Sequence, residues 1–257
     1  MSSYTTSLRI GKGMIAETGH LLNLWQDGMD KTSLEEAALQ SGAFPNMSAR
    51  RLHNVVEECF AIRYLYPMPQ PAKWLKELQP ILSSREFNQL LFLYTCRAND
   101  ILADFVRQVY WPAYAAGKDM LGKEEAYDFV NKANQDGMTT TFWSENTVRR
   151  AAGDLTSTCA DFGLLERGSK SLRRIQPYRI EQSVYAVLSY DLHFSGLGDN
   201  SIVSHPDWAL FGLEPSDVVE ELKRLSLKGW VIVQAAGNVI RIGWEHNNME
   251  EVVNALT

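Results

Sequence analysis

Asn146, Thr147, Arg149 and Arg150 stand close together, with no acidic residue among them. Side chains of these types do the chemistry of nucleic-acid recognition. Guanidinium groups pair with phosphates or guanine edges, and Asn and Thr donate to phosphate or to base edges. Lys170, Arg173 and Arg174 follow in the same stretch. From Ser144 to Ile180 there are seven Lys/Arg against four Asp/Glu, a net +3. Residues 1–143 carry 14 against 16 and residues 181–257 carry 4 against 11, so only this stretch is basic. A further basic group lies earlier: Arg9 and Lys12, then Arg50 and Arg51. Arg50 and Arg51 fall in the first turn of an expected helix, the end that disfavours cations. An anionic ligand or a cross-helix ion pair would account for them.

Residues suited to catalysis do not assemble into a recognisable site. Gly11-Lys12-Gly13 lacks the spacing of a phosphate-wrapping loop, and Gly196-Leu197-Gly198 lacks the third glycine of a dinucleotide fingerprint. Glu17 and His20 share a helix face, but a di-iron bundle needs a second such pair and two more carboxylates. No cysteine pair has zinc-ligand spacing. The expectation is a protein without catalytic activity, cofactor or metal.

Recognition residues need a rigid element behind them. Ser144 is a helix cap and Glu145 suits the first turn. Val148, Ala152, Leu155, Cys159 and Phe162 recur at steps of three and four, which places them on one helix face, and Gly163 stops the helix. Leu164–Arg167 and Leu172–Ile175 read as two short strands joined by a turn at 168–171. Helix followed by basic hairpin is the ending of a winged helix-turn-helix, whose helix enters the major groove while the hairpin lies along the backbone. Arg173 and Arg174 face opposite ways in a strand, so one of them points at the protein. A solvated helix on a hairpin with idle surface arginines is the plainer alternative.

The rest of the chain reads as helical. Expected helices cover Leu8–Gln26, Leu34–Ser41 behind a Thr32 cap, Ser48–Tyr64, Ala72–Leu78, Ser84–Tyr110 and Glu124–Gln135. The core side of the third carries Leu52, Val55, Val56, Cys59, Phe60 and Ile62. Pro67–Pro71 is a stiff connector, and 118–122 a polar link. After Ile180 the pattern of helix, glycine and hairpin repeats, ending in strands near 230–233 and 239–244 around a turn at 236–238, then a closing helix at 248–256. The expected architecture is mainly α. An N-terminal helical bundle spans 1–120, a first winged-helix-like unit 121–180 and a second, acidic one 181–257. The second carries Asp217, Glu220 and Glu221 against Lys223 and Arg224, a balance that repels phosphate, so it reads as a packing or protein-interaction module.

With 45% hydrophobic and 22% charged residues the composition is that of a soluble globular protein. The longest apolar run, near Leu90–Tyr94, falls far short of the ~20 residues of a membrane span. Cys59, Cys96 and Cys159 are far apart and read as buried thiols of a reducing compartment, hence a cytoplasmic protein. A net charge of −6 argues against general coating of nucleic acid.

Several stretches together resemble the BrxA family of BREX bacteriophage-exclusion systems: Gly13 and Glu17 in the first helix, Ser48-Ala49-Arg50-Arg51, Leu91 to Arg97, and Trp143 to Arg150 leading to Gly163-Leu164-Leu165. The resemblance runs over about residues 4 to 180 and rests on the order and spacing of these stretches. It implies a helical bundle similar to NusB-type RNA-binding domains joined to a winged-helix-like part. It also implies a non-enzymatic, DNA-binding accessory factor of phage defence, with double-stranded DNA and other BREX proteins as partners, among them a methyltransferase, an ATPase and a phosphatase-like protein. The alternatives are a protein-interaction scaffold of the same complex and a winged-helix transcription regulator.

Overall fold

The apolar periodicity calls for helices, and the computed structural model of the chain is mainly helical. It describes residues 3–168, 171–236 and 239–257, without the side chains of 235, 236 and 239. In chain order the helices are α1 (Ile15–Leu24), α2 (Lys31–Ser41), α3 (Ala49–Val55), α4 (Gln70–Leu78), α5 (Ser84–Arg97), α6 (Asp100–Phe105), α7 (Trp111–Ala115), α8 (Lys123–Gln135), α9 (Glu145–Asp161), α10 (Gln182–Phe194), α11 (Asp199–Val203), α12 (Pro215–Ser226) and α13 (Met249–Ala255). The strands are β1 (Met120–Gly122), β2 (Leu172–Arg174), β3 (Val231–Ala236) and β4 (Val239–Trp244). The chain divides into two compact units: Met1–Lys76 with Leu91–Tyr178, and Glu77–Leu90 with Arg179–Thr257.

In the first unit the expected opening helix is shorter than its apolar pattern. Ser7–Arg9 forms a 3-10 turn, and α1 starts only at Ile15, after Met14 in the left-handed conformation at φ 45°. Packing decides this. A Cβ on Gly11 would overlap Cys59 Sγ, and one on Gly13 would stand 2.5 Å from Asp161 Cβ. The Gly11-Lys12-Gly13 loop is therefore pressed between two helices that a side chain would push apart. At α2 the cap is Asp30, whose carboxylate accepts from Ser33 N, rather than Thr32. Ser48 caps α3 as expected.

Beyond Val55 that helix winds as a π-helix, Val56–Leu65. Each turn then takes in more residues than α spacing allows. The face shifts accordingly: Ile62, expected inside, is exposed, and Arg63 is 5% exposed. The long helix expected over Ser84–Tyr110 breaks at Asn99, which leaves helical geometry at φ −140° and bonds Thr95 O through its own amide. Its last stretch, Val106–Tyr110, is again a π segment. Pro71 and Pro112 do not end helices, because each sits near the first position of one, α4 and α7, where no backbone donor is needed.

The expected hairpin after Gly163 forms a short pairing. Leu165 bridges Ile175, Glu166 N donates to Arg174 O at 2.8 Å and Gln176 N to Leu164 O at 2.9 Å. The stretch read as a polar link supplies a further strand: β1 pairs antiparallel with β2, Met120 opposite Arg174 and Gly122 opposite Leu172. The connectivity from 120 to 176 is thus strand, helix, helix, hairpin, with the final strand between the other two.

The second unit has α10, α11 and α12, then the β3–β4 hairpin, paired from Val231–Trp244 to Ala236–Val239, and α13 capped by Asn248. The expected turn at 236–238 lies partly outside the described residues. Tyr185 stacks on Trp208 at 4.5 Å and donates to Val218 O at 2.7 Å, tying α10 to α12.

Candidate nucleic-acid interface

α9 is positioned from both ends. Asn134, buried at the end of α8, accepts from Trp143 N at 2.8 Å and from Thr139 Oγ1 at 3.0 Å, and donates to Trp143 O at 3.0 Å. One side chain therefore sets the turn that delivers α9. Ser144 Oγ accepts from Thr147 N at 3.3 Å as the cap. At the far end Asp161 Oδ2 accepts from Gly13 N at 3.1 Å, and Gly163 takes φ 85°. Val148, Ala152, Leu155 and Cys159 are buried, which turns Asn146, Arg149 and Arg150 outward, with Thr147 half-buried. Burial, with Asp161 nearby, pushes the Cys159 thiol up to about 12, so it stays protonated and inert.

The expected cations differ in availability. Arg149 is exposed but paired with Glu145 at 2.6 Å and lies over the Tyr127 ring at 5.0 Å. The Glu145 carboxylate holds the guanidinium more firmly charged. Arg150, Arg9 and Arg174 are exposed and have no side-chain partner among the described residues. Lys12 is bound to Asp154 at 3.2 Å. Arg173 is buried: its Nη1 donates to Glu166 O at 3.0 Å, so it is the strand arginine that faces the protein and is not placed to meet a phosphate. Lys170 lies outside the described residues. Arg50 and Arg51 are exposed on α3, and among the described residues the Arg51 guanidinium reaches only Met14 Sδ, at 3.9 Å.

The structure brings together residues far apart in sequence. Thr5, Thr6 and Arg9 face Thr147 and Arg150 across a cleft of about 190 Å³. Lys12 joins this neighbourhood through Asp154, which also lines the cleft. Arg50, Arg51 and Arg174 do not line it. Arg63 is a buried arginine that the sequence reading missed. It donates to Gly11 O and, at 3.2 Å, to Lys12 O, holding the loop that carries Lys12. Its residue type gave no signal, because an arginine is ordinarily read as exposed.

In the second unit the cations of α12 are occupied. Lys223 pairs with Glu220 at 2.7 Å and Arg224 with Glu221 at 2.5 Å, while Arg179 reaches Glu221 at 3.2 Å. Leu227 and Ile232 are exposed nearby in sequence, at 88% and 54%. Glu35, His53 and Glu57 bring potential ligand atoms within 4.8 Å of one another, but Lys31 binds Glu57 and His53 Nδ1 lies 2.8 Å from Glu35. Among the described residues no helix is long and apolar enough to cross a membrane.

A model of the BrxA family matches residues 2–191. The crystal structure of an uncharacterized protein from Magnetospirillum magneticum is similar in fold, with a TM-score of 0.59 and 15% identity, over 74% of this chain and 94% of that one. No curated protein matches.

Proposed function

Because the chain belongs to the BrxA family of BREX-associated proteins, we propose that it is a non-enzymatic, cytoplasmic subunit of the phage-exclusion complex that binds duplex DNA through α9 and its flanking hairpin. The strand-helix-helix-hairpin order supports a winged-helix reading, in which α9 is the groove-entering helix. The observation that carries the reading is the outward set on the first turns of α9. Asn146 and Arg150 are exposed and have no side-chain partner among the described residues, and Arg9 lines the same cleft as Arg150. Arg174 on the outer face of the hairpin gives a backbone contact. With Arg9, Arg150 and Arg174 free, and each neutralised phosphate contributing a salt slope of about −0.9, binding is modest and falls steeply with salt.

The test is duplex affinity by fluorescence anisotropy on several unrelated duplexes at several salt concentrations. Arg149→Glu with Arg150→Glu nearly abolishes binding, since the free attraction of Arg150 becomes a repulsion and the new carboxylate at position 149 leaves Glu145 unpaired beside it, adding negative charge to the face. Lys223→Glu with Arg224→Glu changes it little, because those cations are already paired. Normal binding by the folded Arg149/Arg150 variant sinks this reading. A single strongly preferred duplex would instead indicate a transcription regulator. A second reading, an interaction scaffold, is favoured by the acidic α12 and the exposed Leu227 and Ile232. Absence of binding to any duplex would favour it.

A further inference from the structure

We propose that the cleft between the Ser7–Arg9 turn and α9 is a phosphate-binding site, a clamp whose two halves come from opposite ends of the first unit's sequence. Arg9, Thr5 and Thr6 line it on the side of the turn, and Arg150 and Thr147 on the side of α9. The Thr5 hydroxyl bonds Ser7 Oγ at 2.8 Å and that of Thr147 bonds Ser144 Oγ at 3.0 Å, so the two arginines are the principal anion ligands. Leu8, Ile101 and Leu155 close the floor with apolar surface. Two guanidinium groups without partners on one small cleft repel each other. An anion between them removes that repulsion and gains paired, charge-assisted hydrogen bonds. One carboxylate, Asp154, also lines the cleft, and Lys12 neutralises it at 3.2 Å. Arg9, Arg150 and Lys12 against Asp154 leave the site at +2.

The size of the cleft narrows the ligand. About 190 Å³ is below the range of roughly 300–1,000 Å³ that encloses whole small molecules. It admits a phosphate group while the rest of the ligand stays outside, as a phosphodiester of a duplex would.

The walls are pre-formed. Tyr4 pairs with the α8–α9 turn, its N–H donating to Met138 O at 2.7 Å and its carbonyl accepting from Thr140 N at 3.1 Å, and its hydroxyl donates to Asp104 Oδ2 at 2.7 Å. Behind Arg9 the 11–13 loop is pressed against Cys59 and Asp161. The turn that carries Thr5, Thr6 and Arg9 is thereby tied to the start of α9 before any ligand arrives, which lowers the ordering cost of binding. A backbone phosphate held here would fix the register of α9 on the duplex, the positioning role that phosphate contacts have. The duplex part of this inference rests on the DNA-binding reading above; the phosphate part does not.

Two measurements test it on the full chain, for the wild type, Arg9→Gln, Arg150→Gln, the double variant and a Lys228→Gln control. The first is the melting temperature in inorganic phosphate against sodium chloride at equal ionic strength. Phosphate raises it for the wild type and the control and not for the double variant, whose melting in chloride stays near wild type because both side chains are exposed and unpartnered. An equal phosphate response in the double variant, or none in the wild type, overturns the site. The second is the salt dependence of duplex binding, where the double variant loses a slope of about 0.9, one phosphate. A phosphate response with an unchanged duplex slope keeps the site and assigns it to free phosphate. A wild type that binds no duplex at any salt sinks the DNA reading, while the phosphate measurement still decides the cleft.

Discussion

Gly11 has no room for a side chain, and its carbonyl is held by the buried Arg63. Gly11→Ala forces Cys59 or the loop to move, an overpacking that costs about 1–3 kcal/mol and lowers the urea midpoint of unfolding. Arg173 and Arg174 separate stability from binding. Arg173→Ala removes a donor from the Glu166 carbonyl in a buried setting and costs about 1–3 kcal/mol. Arg174→Ala leaves unfolding within about 0.5 kcal/mol and weakens duplex binding instead. The two-residue period of a strand already said that only one of the pair could face solvent; which one depended on the β1 partner. Thiol chemistry gives a pH test. Burial raises Cys159 from the usual thiol value of roughly 8.5 to about 12. The contribution of this thiol to stability is therefore full below about pH 8.5 and is lost progressively as pH rises toward 12. A thiol reagent at pH 8 should find Cys159 only after unfolding, and rapid labelling of Cys159 in the native protein would contradict the burial.

α9 was legible in the sequence because everything that makes it is local: the Ser144 cap, the three-and-four spacing and the Gly163 stop. The β3–β4 hairpin was legible for the same reason. What the spacing missed depends on packing. Ile62 and Arg63 exchange inside and outside because Val56–Leu65 winds as a π-helix, and residue types alone do not announce that. β1 was missed because Met120-Leu121-Gly122 is too short to show alternation and exists through its partner β2. Asn134 decides the approach to α9. Asn134→Ala leaves the buried Trp143 amide and carbonyl without partners, and should cost at least about 2 kcal/mol and weaken duplex binding together. Ser144→Ala loses only the cap, about 1 kcal/mol, with a smaller effect on binding. Thermal unfolding and anisotropy on the same two proteins check the order, and a milder Asn134 variant would refute the role given to that side chain.

Across the molecule, charge is divided more sharply than the net −6 implies. The stretch 144–180 is basic at +3 and 181–257 acidic at −7, both plain from counting. The cleft was not plain, because Arg9 and Arg150 meet only through folding and no spacing rule spans that separation. The same long-range pairing bears on how the protein is made. Tyr4 hydrogen-bonds across to Met138 and Thr140, and the first unit takes its last residues from as far as Tyr178. At about 5–20 residues per second on the ribosome, the amino-terminal turn waits on the order of ten seconds or more for its partner to be synthesised. Throughout that interval Tyr4, buried in the finished protein, lacks its Met138 and Thr140 partners. A chain stalled before residue 138 should therefore be cleaved more readily near Tyr4 than one released past Tyr178.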